Sequence, residues 1–151
     1  IDLHQKEGGK VLSGGEQPGG DLSGGCYVKP TIVEADASHT VFREEVFGPF
    51  VSVTRFKDDE EALAIANDTR YGLGSGLWTQ DITRAHQFAN KIKAGMVWIN
   101  CYKRVHPGSP FGGVGESGYG REMGFEVMRE YTQPKSVWVN VDAKIPPFYP
   151  R

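Results

Sequence analysis

Apolar residues fall at separations of three and four along Ile82, Ala85, Phe88, Ala89 and Ile92, which lays them on one helix face. Asp81 stands where its carboxylate can cap the first turn, and Gly95 lies where the chain can leave the helix. A second helix is predicted from Asp58 or Asp59, with Ala62, Leu63, Ile65 and Ala66 near one face and Asn67-Asp68-Thr69 at its end. Alternation of period two over Phe50–Phe56 predicts a strand. Gly74–Thr79 is a short apolar strand, and Met96–Asn100 is so uniformly apolar that both its faces should be buried. Strand, helix, strand, helix, strand with short connections implies right-handed crossovers. The fold class is α/β, an open, mainly parallel sheet with flanking helices.

The flanking segments are less regular. Asp2–Glu7 reads as the last turn of a helix, with Gly8 as its stop. The chain opens without Met at the end of an element, which predicts a piece of a longer polypeptide. Lys10–Ser13 is a short strand, Gly14–Gly25 has the composition of a loop, and Tyr27–Glu34 is a strand made irregular by Pro30. Beyond the loop Cys101–Gly120, a helix around Arg121–Tyr131 should bury Met123, Val127 and Met128. A last strand, Ser136–Val141, leads into the Pro-rich tail Ile145–Arg151.

Charge changes the picture by exclusion. Seventeen Lys and Arg against nineteen Asp and Glu leave no basic excess to neutralise phosphates, so nucleic acid is not an expected partner. No apolar run approaches the length of a membrane span, and the first residues show no targeting pattern. Cys26 and Cys101 lie far apart without Cys-x-x-Cys spacing, and are expected to be two buried thiols in a reducing cytoplasm. His4, His39, His86 and His106 have no paired ligand spacing. They are expected to be solvated or singly hydrogen-bonded, with no metal site.

Four stretches carry candidate chemistry. Gly113-Val114-Gly115-Glu116-Ser117-Gly118 fits Gly-x-Gly-x-x-Gly, but a long loop separates it from the strand before it. It reads as a turn letting backbone approach backbone rather than a dinucleotide fingerprint. Ser117 has neither the fifth glycine nor the leading strand of a hydrolase elbow. In Arg43-Glu44-Glu45-Val46-Phe47-Gly48-Pro49, adjacent carboxylates precede an aromatic and a rigid turn. A carboxylate can accept from both hydroxyls of a ribose and an aromatic can pack on a flat ring, while the alternative is a solvated acidic pair. Asn100–Gly113 lies beyond the carboxyl end of a strand, where α/β folds place ligand loops, or it is a structural loop with Phe111 in the core.

In order along the chain stand Glu44-Glu45-Val46-Phe47-Gly48-Pro49, Asn67-Asp68-Thr69-Arg70-Tyr71-Gly72-Leu73, Gly95-Met96-Val97-Trp98-Ile99-Asn100, Ser109-Pro110-Phe111-Gly112-Gly113 and Ser117-Gly118-Tyr119-Gly120-Arg121-Glu122. Together these motifs resemble the C-terminal third of the NAD(P)-dependent aldehyde dehydrogenase superfamily, and the resemblance covers essentially the whole chain. It implies residues 1–134 as the distal part of a catalytic domain and residues 135–151 as an oligomerisation strand and tail, used in homodimers or homotetramers. It implies that Glu45 binds the nicotinamide-ribose hydroxyls of NAD or NADP and that Phe47 packs near the nicotinamide. Phe111 and Val105 would lie on the aldehyde side, and Glu122 would relay a proton. The catalytic cysteine, the oxyanion Asn and the general-base Glu of the family lie upstream, and neither Cys26 nor Cys101 replaces the nucleophile. The activity implied for the whole enzyme is oxidation of an aldehyde to its acid through a cysteine thioester, with this chain inactive by itself. A stand-alone, non-catalytic α/β module binding a nucleotide or a subunit is the alternative. Lys103-Arg104 departs from the family's usual substrate loop, and reads either as selection for an acidic substrate or as solvated charge.

Overall fold

In the computed structural model, which describes residues 1–141, short strands form two sheets. Strand β1 (Lys10–Ser13) runs antiparallel to β2 (Thr31–Glu34), and β2 runs parallel to β3 (Phe50–Val53). Strands β4 (Gly74–Leu77) and β5 (Met96–Ile99) form a separate parallel pair, in register from Gly74 opposite Met96 to Leu77 opposite Ile99. The α-helices among the described residues are α1 (Asp2–Lys6), α2 (Thr40–Arg43), α3 (Asp59–Asn67), α4 (Ile82–Lys91) and α5 (Val127–Glu130). The expected α/β class with parallel pairing is observed, although β3 and β4 do not join into one sheet.

Local chemistry sets the boundaries. Strand β2 begins at Thr31 rather than Tyr27 because Pro30 has no N–H to give to a ladder. Thr31 itself donates its N–H to the Pro49 carbonyl at 2.8 Å, continuing toward β3. Asp58 caps α3 by accepting from the Glu61 N–H at 2.9 Å, and Asp81 caps α4 by accepting from the Arg84 N–H at 3.0 Å. Bonds at both ends set the two helices side by side and parallel. Arg84 grips Asp59 near both N-termini, and Asn67 bonds the Lys91 carbonyl (3.1 Å) and Lys93 N–H (2.8 Å) near both C-termini.

The core among the described residues is small: Val33, Ala35, Ala85 and Ile92, with Thr31 and His4 as its buried polar members. Ala85 and Ile92 come from the predicted face of α4, but Ile82 at its start is exposed. Strand β5 is only half-buried along its length, since a single strand flanks it. His4 corrects the expectation of solvated histidines. It is fully buried, packs 4.9 Å from the His39 ring, and has no hydrogen-bond partner on either nitrogen.

Two C-terminal expectations also fail. Only Val127–Glu130 is helical, because Glu122 instead pairs its backbone with Phe111, and Met123 and Gly124 both have φ near +60°. Met123 and Met128 are exposed rather than buried. Ser136–Val141 forms no ladder with another described strand, and Val137, Trp138, Val139 and Val141 are largely exposed. The tail Ile145–Arg151 lies outside the described residues. No helix among those described is long and apolar enough to cross a membrane.

Candidate functional site

The Gly-rich stretch after β5 folds back across the starts of β4 and β5. The Gly72 carbonyl accepts from both Gly95 N–H (3.0 Å) and Val114 N–H (2.9 Å), and Gly72 N–H donates to Ser117 Oγ at 3.0 Å. Glu116 N–H donates to the Arg70 carbonyl at 2.9 Å. Side chains would obstruct this contact. A Cβ on Gly95 would lie 1.8 Å from the Gly112 carbonyl oxygen, and one on Gly72 would lie 2.6 Å from the Lys93 carbonyl oxygen. Of the amides that a dinucleotide fingerprint would offer to a phosphate, those of Val114, Glu116, Ser117 and Gly118 are bonded to the protein's own carbonyls. Ser117, in a 3₁₀ turn over Gly115–Ser117, accepts a backbone bond and is no nucleophile elbow.

Arg70 ties that turn to the paired carboxylates. Its Nη2 lies 2.5 Å from Glu44 and 2.9 Å from the Tyr71 hydroxyl, its Nε lies 3.1 Å from Glu116, and the guanidinium sits 5.0 Å from the Tyr71 ring centre. The bond to the Tyr71 hydroxyl, with the charges of Glu116 and Glu44 behind it, raises the Arg70 pKa above its ordinary value. Arg70 was not singled out by residue pattern, because its partner Glu44 lies 26 residues away and no local periodicity links them.

This arrangement separates the two carboxylates. Glu44 is held by Arg70, whereas Glu45 has no hydrogen-bond or ion-pair partner among the described residues. Both line a cleft of about 600 Å³ between α2, the Tyr71–Ser75 segment and Glu116-Ser117. Phe47 is not on its wall. It projects 91% exposed from a backbone at φ +48°, a strained conformation for an aromatic residue.

Phe111 and Val105 come together in a second pocket of about 390 Å³, with Trp98, Arg104, His106 and Arg121 among its lining residues. Glu122 joins Phe111 through reciprocal 2.7 Å backbone bonds and lines a neighbouring depression with Tyr119 and Tyr131. Phe111 and Arg121 border both of these, and Leu73 and Ser117 border both the depression and the Glu45 cleft. Cys26 and Cys101 are free thiols; Cys26 is exposed, contrary to expectation, and Cys101 is half-buried beyond β5. No metal-binding group of His, Cys, Asp or Glu occurs among the described residues.

Known proteins resemble the chain over nearly all of it. Residues 1–137 match the aldehyde dehydrogenase family profile. An aldehyde dehydrogenase of Rhodospirillum rubrum is 48% identical over 99% of this chain, which spans 30% of that protein. The crystal structure of PnpE from Pseudomonas sp. WBC-3 is 66% identical, covers 98% of this chain and 31% of its own, and superposes with a TM-score of 0.90. Betaine aldehyde dehydrogenase from Staphylococcus aureus, solved in complex with NAD+, is 36% identical over 99% of this chain and 30% of its own, with a TM-score of 0.91. This chain thus spans about 30% of the length of these relatives. It belongs to the aldehyde dehydrogenase family.

Proposed function

We propose that the chain is the distal part of the catalytic domain of an enzyme that oxidises an aldehyde to a carboxylic acid with NAD or NADP. Glu45 carries the reading: among the described residues it is an unpaired carboxylate on a cleft wall, beside a sister carboxylate already ion-paired to Arg70. Such a group suits the vicinal hydroxyls of a ribose, because its oxygens can accept from both. Exposed Phe47 offers a face to the flat ring of the same cofactor. These residues fit a nicotinamide nucleotide. Family relatives point the same way, since PnpE and the Staphylococcus aureus enzyme are both solved with nicotinamide adenine dinucleotide.

When bound, the cofactor accepts a hydride. This chain's residues would position and enclose. Glu45 fixes the ribose, Phe111 and Val105 line the aldehyde side, and Glu122 carries a proton relay. The cysteine that attacks the aldehyde and carries the thioester lies outside this chain, as do the oxyanion donor and the base for the hydrolytic water. Residues 135–151, as an oligomerisation strand at Ser136–Val141 followed by a tail, would serve assembly of a cytoplasmic homodimer or homotetramer.

Glu45→Gln in the full-length enzyme should slow hydride transfer about ten- to a hundredfold by loosening the reacting geometry. Single-turnover absorbance of the reduced nicotinamide measures it, and an unchanged rate removes Glu45 from the cofactor site.

A further inference from the structure

The pocket that holds Phe111 and Val105 is charged in one sense only. Arg104, His106 and Arg121 line it, and no carboxylate among the described residues does, whereas the neighbouring cleft carries Glu44, Glu45 and Glu116. Arg121 is committed, donating to the carbonyls of Gly113 at 2.7 Å and Gly120 at 2.6 Å. His106 accepts the Gly108 N–H on Nδ1 at 3.0 Å, which leaves Nε2 to carry the proton and donate. Arg104 is the free cation. Its carbonyl is fixed by the Trp98 indole N–H at 2.7 Å, and its guanidinium has no hydrogen-bond or ion-pair partner among the described residues.

We propose that this pocket selects aldehydes bearing a second, anionic group, and that Arg104 is the residue that reads it. The inference rests on the aldehyde-oxidising reading above and deepens it. A planar guanidinium matches a carboxylate with two parallel donors. Trp98, Val105 and Phe111 supply apolar wall for the carbon chain between carboxylate and aldehyde. A volume of about 390 Å³ suits a small, extended molecule. Arg121, held by carbonyls, adds positive potential without forming the contact itself.

The test compares kcat/KM for adipic semialdehyde and its methyl ester in the full-length enzyme, with NAD+ and NADP+ each supplied. Succinic and suberic semialdehydes with their esters cover shorter and longer chains. The acid of at least one pair should be preferred. Arg104→Gln should lower that acid-to-ester ratio about ten- to a hundredfold, as loss of a charge-assisted bond implies. Arg104→Lys should retain part of the preference. Calorimetry on the unaltered enzyme provides a second readout that needs no variant, with adipate or its homologues binding more tightly than the matching diamides. Absence of any acid preference, or a ratio unmoved by Arg104→Gln, or equal binding of diacid and diamide overturns the anion selection alone. Oxidation of neither acid nor ester in any pair overturns the aldehyde-oxidising reading, and this inference with it.

Discussion

At the scale of single residues, close approach matters more than charge. Arg70 bonds Glu44, Glu116 and Tyr71 near the candidate site, but its ion pairs are half-exposed and screened by solvent, so they add little to stability. Gly95 contributes through what it lacks. Gly95→Ala in the full-length enzyme would drive a methyl group into the Gly112 carbonyl, and the backbone there cannot rotate away as a side chain would. Stability should fall by about 3 kcal/mol, at the upper end of overpacking costs, as measured by denaturant midpoint at constant m-value. An Ala variant that melts with the parent would show that the Gly112–Gly113 backbone yields. Glycine at this position was legible as a helix stop, but the crossing chain that forbids a side chain was not. Hydrophobic pattern records what an element needs along its own length, not what will pass over it.

Among the elements, sequence legibility follows cap and period. Helices α3 and α4 are found where Asp58 and Asp81 place them, because an N-cap is a local bond between residues three apart. Asp81→Ala should cost about 1 kcal/mol of stability, seen as a lower midpoint in thermal unfolding, with Asp81→Asn recovering most of it. Equal stability of all three proteins would mean that packing of Ala85 and Ile92 alone holds α4. The helix expected over Arg121–Tyr131 is the instructive failure. Its apolar spacing is real, yet Glu122 is taken by Phe111 and two consecutive residues adopt left-handed backbone. Tertiary pairing there overrides a periodic signal that spans only a few turns. Of the candidate site, Glu45 and the Phe111 loop were readable from residue chemistry and family resemblance. The different pairing of Glu44 and Glu45 was not, since it depends on an arginine brought in from the segment after α3.

For the whole molecule, the balance of buried and exposed surface carries the argument. Four apolar side chains are buried among the described residues, while Phe47, Tyr119, Trp138 and Val141 are each more than nine-tenths exposed. Exposed apolar side chains of this kind are what contact with further protein would cover. That agrees with a chain spanning about 30% of its relatives' length, and with the reading that its cofactor cleft is completed elsewhere. The 151-residue chain, purified alone, should therefore oxidise no aldehyde above blank with either nicotinamide nucleotide. Turnover in a steady-state absorbance assay would place a nucleophile within these residues and overturn the division proposed here.

The double acceptance by the Gly72 carbonyl reaches beyond geometry. Because one oxygen receives Gly95, just before β5, and Val114 from the loop, and Ser117 closes on the Gly72 amide across 45 residues of chain, loop docking and strand pairing converge on one residue. Long closures of this kind come late in folding and are costly in chain entropy. The amide hydrogens of Gly95 and Val114 should then exchange with solvent together, as one opening unit, so that the Gly-rich loop gains its order in the same event that secures the parallel pair.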